Sequence, residues 1–453
     1  MTIGALPQVV ADAHGSRFAL TSELGGGGQG VVYGVEGGRY AVKVLRARSD
    51  TDRSRLARKL NAVRRQPLQD LRVARPLELL APPLVGYVME LIEGSEPMST
   101  LMAAPRGAEL ATWYAETGGI ARRYQVAYSM METLARLHRL GLMYVDPSPA
   151  NVLVDRLDVG AMPEAWLIDA DNVRAESVAG DTVYTRFWAA PELVSGSRPA
   201  SSLTDAWAAA VIAFKVITLA HPLIGDVVTE GPPELEDDAL AGRFPWIDDP
   251  KDDSNRSSAG LPRELIFTKR LRELLHQMFG DGMHRAAARP GTHELSRELG
   301  RAWRMLTVCD SCAQSFLFTP SRACAFCGQV QGPRVLMRVV FRENSGPSAG
   351  WGQHLLDDRI VLDSSQPFTV HADLVGMNTL DHHGTPVAEI SFARNVVTVR
   401  LVVDVEIEVE GSGNSVARRR GDELRVSIAP GSQSVVRFGS LSAPHRALVV
   451  GGV

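Results

Sequence analysis

Apolar and polar residues alternate on both sides of a short turn near the start of the chain. Val31 and Tyr33 precede the turn, and Tyr40 and Val42 follow it, so apolar side chains recur at every second position. This period of two is typical of β-strands, and the pattern predicts a β-hairpin. Residues 206–220 form a long apolar stretch interrupted by a lysine and a threonine, which predicts a buried helix rather than a membrane span.

The last third of the chain has a different pattern, made of short alternating segments. Three of these segments cover residues 335–341, 396–403 and 405–410. Turn-forming glycine, asparagine and proline separate such segments, for example at residues 411–414 and 430–432. The pattern predicts an all-β domain of about 120 residues, a sandwich or a barrel.

Length and charge limit the classes of protein that fit this sequence. The chain has 453 residues, and at about 150 residues per domain it has room for roughly three domains. A net charge of −4 argues against a general nucleic-acid binder and against a membrane-surface binder. No apolar leader follows Met1, so we expect a cytoplasmic protein.

A glycine-rich motif within the predicted hairpin carries the first candidate chemistry. The motif, G-x-G-x-x-G-x-V, contains Gly25, Gly27, Gly30 and Val32 and is followed on the next predicted strand by Ala41 and Lys43. Glycine lets a backbone lie close to phosphate groups and accepts the positive φ angles of a tight turn. Lysine supplies a point charge for those phosphates. A strand follows the glycines where a dinucleotide-binding fold would have a helix, so we interpret the segment as a phosphate-covering hairpin.

Five further motifs follow downstream in a fixed order. They are Asp146-Pro147-Ser148-Pro149-Ala150-Asn151, Asp169-Ala170-Asp171, Thr185 with Ala190-Pro191-Glu192, Asp205-Ala206-Trp207 and Arg289-Pro290. In order and spacing they resemble the catalytic loop, magnesium loop, activation segment, large buried helix and late arginine of the protein kinase family. In that family the late arginine, matched by Arg289, pairs with the glutamate matched by Glu192. The resemblance covers residues 15–305 and implies a bilobal fold whose N-terminal lobe ends near residue 92.

The resemblance implies a role for each matched residue. Asp146 is expected to be the catalytic base, Asn151 and Asp169 the ligands of Mg²⁺, and Lys43 a contact to the phosphates of ATP. Thr185 matches the threonine that contacts the catalytic aspartate. The gatekeeper and hinge, which would contact adenine, are matched by Met89, Glu90 and Ile92.

The sequence departs from the family's pattern around the lysine. The family has a glutamate on the next helix that pairs with this lysine, but no glutamate lies between Lys43 and Pro76. The predicted helix, at about residues 51–65, offers Asn61 as a replacement, and other candidate partners are Asp50, Asp52 and Asp70. Asp171 stands where the family has glycine, and we expect it to bond the loop backbone, with metal binding as the alternative.

The catalytic loop also departs from the pattern. Ser148 stands where serine/threonine kinases carry a lysine that contacts the γ-phosphate, and its missing charge should weaken stabilisation of the transition state. Tyr144 and Val145 replace a histidine and an arginine. Three functions therefore stay open: an active protein kinase, a nucleotide-binding pseudokinase acting as a switch or scaffold, and a small-molecule phosphotransferase of the aminoglycoside-kinase type. Joint retention of the four residues favours the first; they are Lys43, Asp146, Asn151 and Asp169.

All four cysteines of the chain fall into two C-x-x-C pairs. The pairs are Cys309 with Cys312 and Cys324 with Cys327, eleven residues apart. Each pair is spaced to present two thiolates to one tetrahedral ion, and Gly328 gives the backbone freedom after the second pair. The spacing predicts a zinc ribbon whose zinc is structural, because four sulfurs leave no position open for a substrate.

Two other segments suggest interactions. Residues 226–253 contain ten carboxylates against only two basic residues, and we expect an exposed loop, with a docking surface for a basic substrate as the alternative. The closing strands of the predicted all-β domain are weakly similar to forkhead-associated domains, which implies architecture only. A zinc ribbon fused to a divergent kinase resembles bacterial signalling proteins, and this resemblance implies partner signalling proteins, among them a phosphatase.

The sequence thus predicts an α+β multidomain protein. Residues 1–14 form an N-terminal extension, residues 15–305 a protein kinase-like domain, residues 306–332 the zinc ribbon and residues 333–453 the β-sandwich domain. The expected cofactors and partners are ATP, Mg²⁺, structural Zn²⁺ and a protein substrate carrying serine or threonine, with no nucleic acid and no membrane.

Overall fold

In the computed structural model of the protein, the alternating segments near the N-terminus form a six-stranded antiparallel sheet. Its strands are β1 (Val9–Ala11), β2 (Arg17–Gly26), β3 (Gly30–Val35), β4 (Tyr40–Leu45), β5 (Glu78–Leu79) and β6 (Gly86–Glu90), in the order β1-β2-β3-β4-β6-β5. The predicted hairpin is confirmed as β3 and β4. Two glycines are required by close approach, because a Cβ on Gly30 would lie 2.4 Å from the Val44 carbonyl oxygen and one on Gly86 would lie 2.1 Å from that of Lys43.

The structure describes only part of the chain in atomic detail. The described residues are 8–157, 163–178, 183–318, 322–332, 334–344, 351–362, 367–372, 374–376, 385–410, 415–429, 432–438 and 445–452. The first half of the N-terminal extension (residues 1–7), the predicted turn at 411–414 and most of the turn at 430–432 lie outside them. The chain divides into two units, Met1–Leu299 and Gly300–Val453.

Helix α1 (Asp50–Arg64) packs on the N-terminal sheet. The Ser49 side chain caps it by accepting a hydrogen bond from the Asp52 N–H, which satisfies one of the amides that a helix start leaves unpaired. Leu60 is buried in a cluster with Ala41 and Tyr87 of the sheet. Burial of an aliphatic side chain of this size contributes about 1.5–3 kcal/mol, so this contact fixes the helix against the strand that carries Lys43.

Most of the rest of the first unit is helical. Its elements are β7 (Ser95–Pro97), α2 (Leu110–Glu116), α3 (Gly119–Arg139), β8 (Leu142–Met143), β9 (Val152–Asp155), β10 (Ala165–Leu167), β11 (Arg174–Ala175), α4 (Pro191–Val194), α5 (Ser202–Thr218), α6 (Asp226–Glu230), α7 (Pro233–Leu240), α8 (Arg263–Ile266), α9 (Lys269–Phe279), α10 (Asp281–His284) and α11 (Thr292–Arg304), the last of which crosses into the second unit. The apolar stretch forms α5, which is buried along almost its whole length, as the pattern predicts. Among the described residues, no helix combines the length and the apolar character needed to cross a membrane.

The acidic segment 226–253 does not form the exposed loop that we expected. It contains helices α6 and α7, which begin after Gly225 and Pro232. Trp246 is 4% exposed and packs edge-on against Phe214 of α5. The expectation was wrong because net charge alone does not prevent folding when an acidic segment carries its own apolar anchors.

The second unit begins with a small hairpin and continues as two antiparallel sheets. The hairpin is β12 (Leu306–Val308) and β13 (Ser315–Leu317), and the later strands are β14 (Val335–Asn344), β15 (Trp351–Leu362), β16 (Phe368–His371), β17 (Pro386–Ala393), β18 (Val396–Leu401), β19 (Ile407–Glu410), β20 (Ser415–Ala417), β21 (Glu423–Ser427), β22 (Gln433–Phe438) and β23 (His445–Gly452). The sheets run β15-β14-β23-β22-β19-β20 and β16-β17-β18-β21. Alternate residues of both sheets share one core, for example Met337, Val397 and Val436, so the region has the two layers expected of a sandwich.

Candidate functional site

The loop around Asp146 is held in an unusual backbone conformation. Val145 has a φ of +84°, a left-handed conformation that is costly for a β-branched residue. The buried carboxylate of Asp205 accepts hydrogen bonds from the amides of Tyr144 (2.6 Å) and Val145 (2.9 Å). Asp205 therefore does more than begin helix α5, because it holds the strained loop in a single conformation.

Asp146 lies partly buried at the end of this loop. Its two carboxylate oxygens accept hydrogen bonds from Thr185, one from the backbone N–H (2.7 Å) and one from the hydroxyl (3.2 Å). The predicted contact between Thr185 and Asp146 is thus confirmed. Burial raises the pKa of Asp146, and the hydrogen bonds from Thr185 oppose that rise only in part. A carboxylate with a raised pKa is better suited to accept a proton than an ordinary aspartate.

The catalytic loop and the magnesium loop are joined directly. The Tyr144 hydroxyl donates a hydrogen bond to the carbonyl of Ile168, the residue before Asp169. The Ile168 N–H in turn donates to the Asn151 carbonyl (2.9 Å), and the Asn151 side-chain amide donates to the Asp146 carbonyl (3.2 Å). Burial raises the pKa of Tyr144 far above its ordinary value, so its hydroxyl stays a donor. Tyr144 thereby fixes Asn151 and Asp169 relative to Asp146.

Lys43 pairs with neither Asn61 nor the three aspartates proposed from sequence. Its Nζ lies 2.7 Å from Oδ1 of Asp171 and also contacts the carboxylate of Asp169. Asp171 was expected to bond the loop backbone, with metal binding as the alternative; its carboxylate instead pairs with Lys43, which corrects the first expectation and leaves the alternative a prediction. The sequence separation between Lys43 and Asp171 is 128 residues, which explains why a search near the lysine missed the partner.

Side chains around this ion pair complete a buried polar cluster. The Tyr87 hydroxyl lies 3.5 Å from Oδ1 of Asp171, and burial raises the pKa of Tyr87 far above its ordinary value. Helix α1 reaches the same loop through Lys59, whose Nζ donates to Oδ1 of Asn172 at 2.7 Å. In the family pattern, the helix carries a glutamate. In this protein, the helix instead provides the cation Lys59, and the magnesium loop provides its acceptor, Asn172.

The glycine motif and the hinge border the same cleft. Arg46 donates to the Gly27 carbonyl (2.8 Å) and so ties the tip of the glycine turn to the end of β4. A Cβ on Gly25 or Gly27 would have no neighbour within 4 Å among the described residues, so this face of the turn is open. Glu90 ends strand β6 and pairs with Tyr40 at the start of β4, which places the predicted hinge directly after the end of an interior strand.

The predicted pair of Glu192 and Arg289 is confirmed. Two nitrogens of the guanidinium donate to the two carboxylate oxygens at 2.6 and 2.7 Å. The Arg289 side chain is fully buried, and its guanidinium lies over the ring of Trp207. The bidentate pair anchors the end of the activation segment to the helical lobe.

The four cysteines of the second unit converge on one point. All four Sγ atoms lie within 4.8 Å of one another, and Cys309 and Cys327 are 3.6 Å apart while Cys312 and Cys324 are 3.7 Å apart. A tetrahedral zinc ion with Zn–S bonds of about 2.3 Å requires sulfurs about 3.8 Å apart. The donor set and its spacing therefore fit a zinc ion.

The two cysteine turns have the same local geometry. The amides of Ser311 and Phe326 each donate to the first sulfur of their turn at 3.4 Å. The residue after each pair has a positive φ, +57° at Ala313 and +73° at Gly328, as predicted for the glycine. Burial raises the pKa of the Cys309 thiol, but hydrogen bonds from neighbouring amides outweigh it and lower that pKa to about 6. Burial raises the pKa of the Cys312 and Cys324 thiols, so Cys309 forms the metal-binding thiolate more readily than these two.

Comparison with known proteins agrees with this geometry. A family model described as the protein kinase domain matches residues 18–294, which is more than half of the chain. The chain belongs to the protein kinase family. Membership implies a bilobal kinase fold.

Several bacterial serine/threonine-protein kinases are similar to this chain. PknD of Chlamydia abortus is 31% identical over 156 residues, which cover 31% of this chain and 17% of PknD. The DNA damage-responsive kinase RqkA of Deinococcus radiodurans is 27% identical, over 46% of this chain and 31% of RqkA. PkaB of Streptomyces coelicolor is 28% identical, over 47% of this chain and 51% of PkaB. The chain thus spans about half or less of these relatives.

Proposed function

We propose that this protein transfers the γ-phosphate of MgATP to serine or threonine hydroxyls of a protein substrate. The observation that carries the proposal is the convergence of Lys43, Asp146, Asn151 and Asp169 on one cleft, although they come from three separate segments. Similarity to bacterial serine/threonine kinases supports the choice of hydroxyl substrate.

Each side chain has a separate task in this proposal. Lys43 contacts the phosphates of ATP, and the open face of the glycine turn covers them. Asn151 and Asp169 provide the amide and carboxylate oxygens that would hold Mg²⁺, which neutralises phosphate charge when it is bound. Asp146 orients the substrate hydroxyl and accepts its proton, and Thr185 holds the Asp146 carboxylate in place.

Adenine is assigned to the hinge. Met89 is buried beneath the cleft, and the backbone groups of Glu90 and Ile92 are the proposed hydrogen-bonding partners of the base. Val32 and Ala41 lie on the strands that border the cleft and would contact the base from the N-terminal lobe.

Transfer of labelled phosphate from MgATP tests the proposed function. Wild-type protein is expected to label itself or a generic protein substrate. Asp146→Asn is expected to lower the rate by about 10²–10⁴-fold while it still binds nucleotide, because only the base is lost. Lys43→Met is expected to weaken both binding and transfer. Asp70→Asn, which removes an exposed carboxylate outside the cleft, is the matched control and should behave as wild type.

One observation favours a second candidate, a nucleotide-binding pseudokinase. Ser148 is buried in the catalytic loop and adds no positive charge where related kinases have a lysine for the γ-phosphate. A pseudokinase would bind the nucleotide and transfer nothing. Binding of labelled nucleotide by wild-type protein without any transfer is the result that would select this candidate.

For the second unit we propose a structural zinc site. Cys309, Cys312, Cys324 and Cys327 would hold the ion, and the tetrahedral spacing of their sulfurs supports this assignment. A module this small has little core of its own, so the metal would supply most of its folding free energy. A reducing compartment would keep these thiols free to bind metal, so we place the protein in the cytoplasm.

We assign the β-sandwich to interactions with other proteins of a signalling pathway. Its two sheets share a core that is separate from the kinase lobes along the chain, which is typical of an appended module. The candidate partners, a phosphatase among them, would bind the ribbon or the sandwich. No binding residues are assigned to either module.

A further inference from the structure

The ion pair of Lys43 has a feature that the family pattern does not explain. Two carboxylates of one short loop contact the lysine, Asp169 and Asp171, and they differ in exposure. The Asp169 side chain is 23% exposed, whereas that of Asp171 is 4% exposed. Asp171 is also within 3.5 Å of the Tyr87 hydroxyl, inside the N-terminal lobe. The two carboxylates therefore occupy different environments, one toward the cleft and one in the interior.

This difference separates their roles when MgATP is bound. Under the proposed function, the carboxylate of Asp169 is needed by the metal, so Lys43 loses one of its two carboxylate partners and needs the other to hold its ammonium in position for the ATP phosphates. A buried ammonium without a counter-ion is strongly unfavourable. Asp171 is the partner that remains, because it is enclosed by protein on the side away from the cleft.

We propose that Asp171 is the positioning residue of Lys43 and replaces the glutamate that other kinases carry on the helix. The inference rests on the proposed function, because it assigns the position of the lysine that contacts ATP. Asp171 holds the Nζ of Lys43 at a fixed place above the phosphates. It takes no part in the transfer itself.

The contacts of helix α1 agree with the replacement of a helix glutamate by a loop aspartate. Leu56 lies on α1 one turn before Leu60 and packs in the same cluster as Ala41 and Tyr87. An apolar side chain thus occupies the face of the helix that approaches the sheet near Lys43. The helix is tied to the magnesium loop instead by Lys59, which donates to Asn172. The carboxylate partner of Lys43 therefore comes from the magnesium loop, and helix α1, all of whose residues the structure describes, provides no acidic partner for it.

Four variants test the proposal in the full-length protein. Asp171→Gly restores the residue common in the family and is expected to lower kcat/KM for ATP by about 100-fold, since misplacement of a catalytic group by about 1 Å has that effect. Asp171→Asn keeps the size of the side chain and is expected to lose part of the activity. Asp171→Gly combined with Leu56→Glu supplies a carboxylate from α1 and is expected to recover most of the loss. Asp70→Asn is the control for loss of one negative charge.

Two readouts distinguish positioning from a merely structural role. A positioning role raises KM for ATP and leaves KM for the protein substrate unchanged, whereas partial unfolding lowers only the amount of active enzyme. The second readout is the rise in melting temperature caused by Mg²⁺ with a non-hydrolysable ATP analogue. It needs no catalysis, so it tests the proposal even if the wild-type protein transfers no phosphate.

The outcomes are decisive in both directions. Loss of the nucleotide-induced stabilisation in Asp171→Gly, restored in the double variant, supports the assignment. If Asp171→Gly and Asp171→Asn both kept wild-type KM for ATP and wild-type stabilisation by the nucleotide, Asp171 would not position Lys43. A folded double variant with no recovery would show that the carboxylate cannot be supplied from α1, which contradicts the proposed replacement.

Discussion

The two candidate sites of this protein are built in opposite ways. In the ribbon, four sulfurs come from two turns of the same local geometry, and the most distant pair is separated by 18 residues. In the kinase unit, Lys43 meets Asp171 in the cleft across 128 residues, and Glu192 meets Arg289 at the end of the activation segment across 97. Under the proposed zinc assignment the ribbon depends on one ion and little else, whereas the cleft depends on the packing of both lobes. A change that destroys one site should leave the other largely intact.

Metal removal is expected to have the largest effect, and this effect should be confined to the ribbon. Structural zinc sites bind their metal with about 10–16 kcal/mol, so a strong chelator is expected to unfold residues 306–332. Hydrogen exchange of this segment should rise sharply, and metal analysis of untreated protein should find one zinc ion per chain. Cys312→Ser is expected to reproduce the effect of the chelator.

The kinase unit supplies the internal control for metal removal. Exchange in β3, β4 and α5 should not change on chelation, because no cysteine lies in the first unit. Metal-free protein whose ribbon exchanges as slowly as before would contradict the assignment of a structural zinc.

Loss of the long-range ion pair between Glu192 and Arg289 should lower the stability of the kinase unit. Glu192→Ala leaves the fully buried guanidinium of Arg289 without its carboxylate, and the expected loss in free energy of unfolding is about 3–5 kcal/mol. Urea unfolding of the first unit, followed by tryptophan fluorescence, measures this change. The matched control is Glu294→Ala, which removes an exposed pair with Arg270 and should cost at most about 1 kcal/mol. Equal losses in the two variants would show that burial of Arg289 does not matter.

The smallest expected effect is a shift in pH dependence at the cleft. The hydroxyl of Thr185 stabilises the charged form of Asp146 and so opposes the rise in its pKa caused by burial. Thr185→Ala removes that hydrogen bond, so the pKa of Asp146 should rise further. The acid limb of the pH profile of kcat/KM should then move to higher pH, because Asp146 must be deprotonated to act as the base. Thr185→Ser keeps the hydroxyl and should keep the wild-type profile. A limb that stays in place or moves to lower pH in Thr185→Ala would show that Asp146 is not the group reported by the profile.

The contrast between local and distant contacts also explains how much could be predicted from sequence. The cysteine turns were predicted from the spacing of the cysteines, together with the need for backbone freedom at Gly328, which has a φ of +73°. The pair of Glu192 and Arg289 was predicted from the order of motifs in a known family. The partner of Lys43 was predicted wrongly, because the search was limited to nearby residues and Asp171 was assigned to its own loop.

Two other side-chain contacts had no sequence signal that a single chain could supply. The role of the Tyr144 hydroxyl in joining two loops depends on their packing, and so does the contact between Lys59 and Asn172. Helices α6 and α7 were missed because charge composition was given more weight than their proline and glycine start signals. A carboxylate at position 171, where glycine is usual, was the one visible sign of the rearranged lysine site.

The central claim is that this cleft transfers phosphate with Asp146 as the base. The most direct measurement is the intact mass of wild type and Asp146→Asn after incubation with MgATP and a protein substrate, followed by mapping of the modified residues. We predict that wild type adds whole phosphoryl groups to serine or threonine and that Asp146→Asn adds almost none. Unmodified protein and substrate with wild type, or equal phosphorylation by both proteins, would contradict the account.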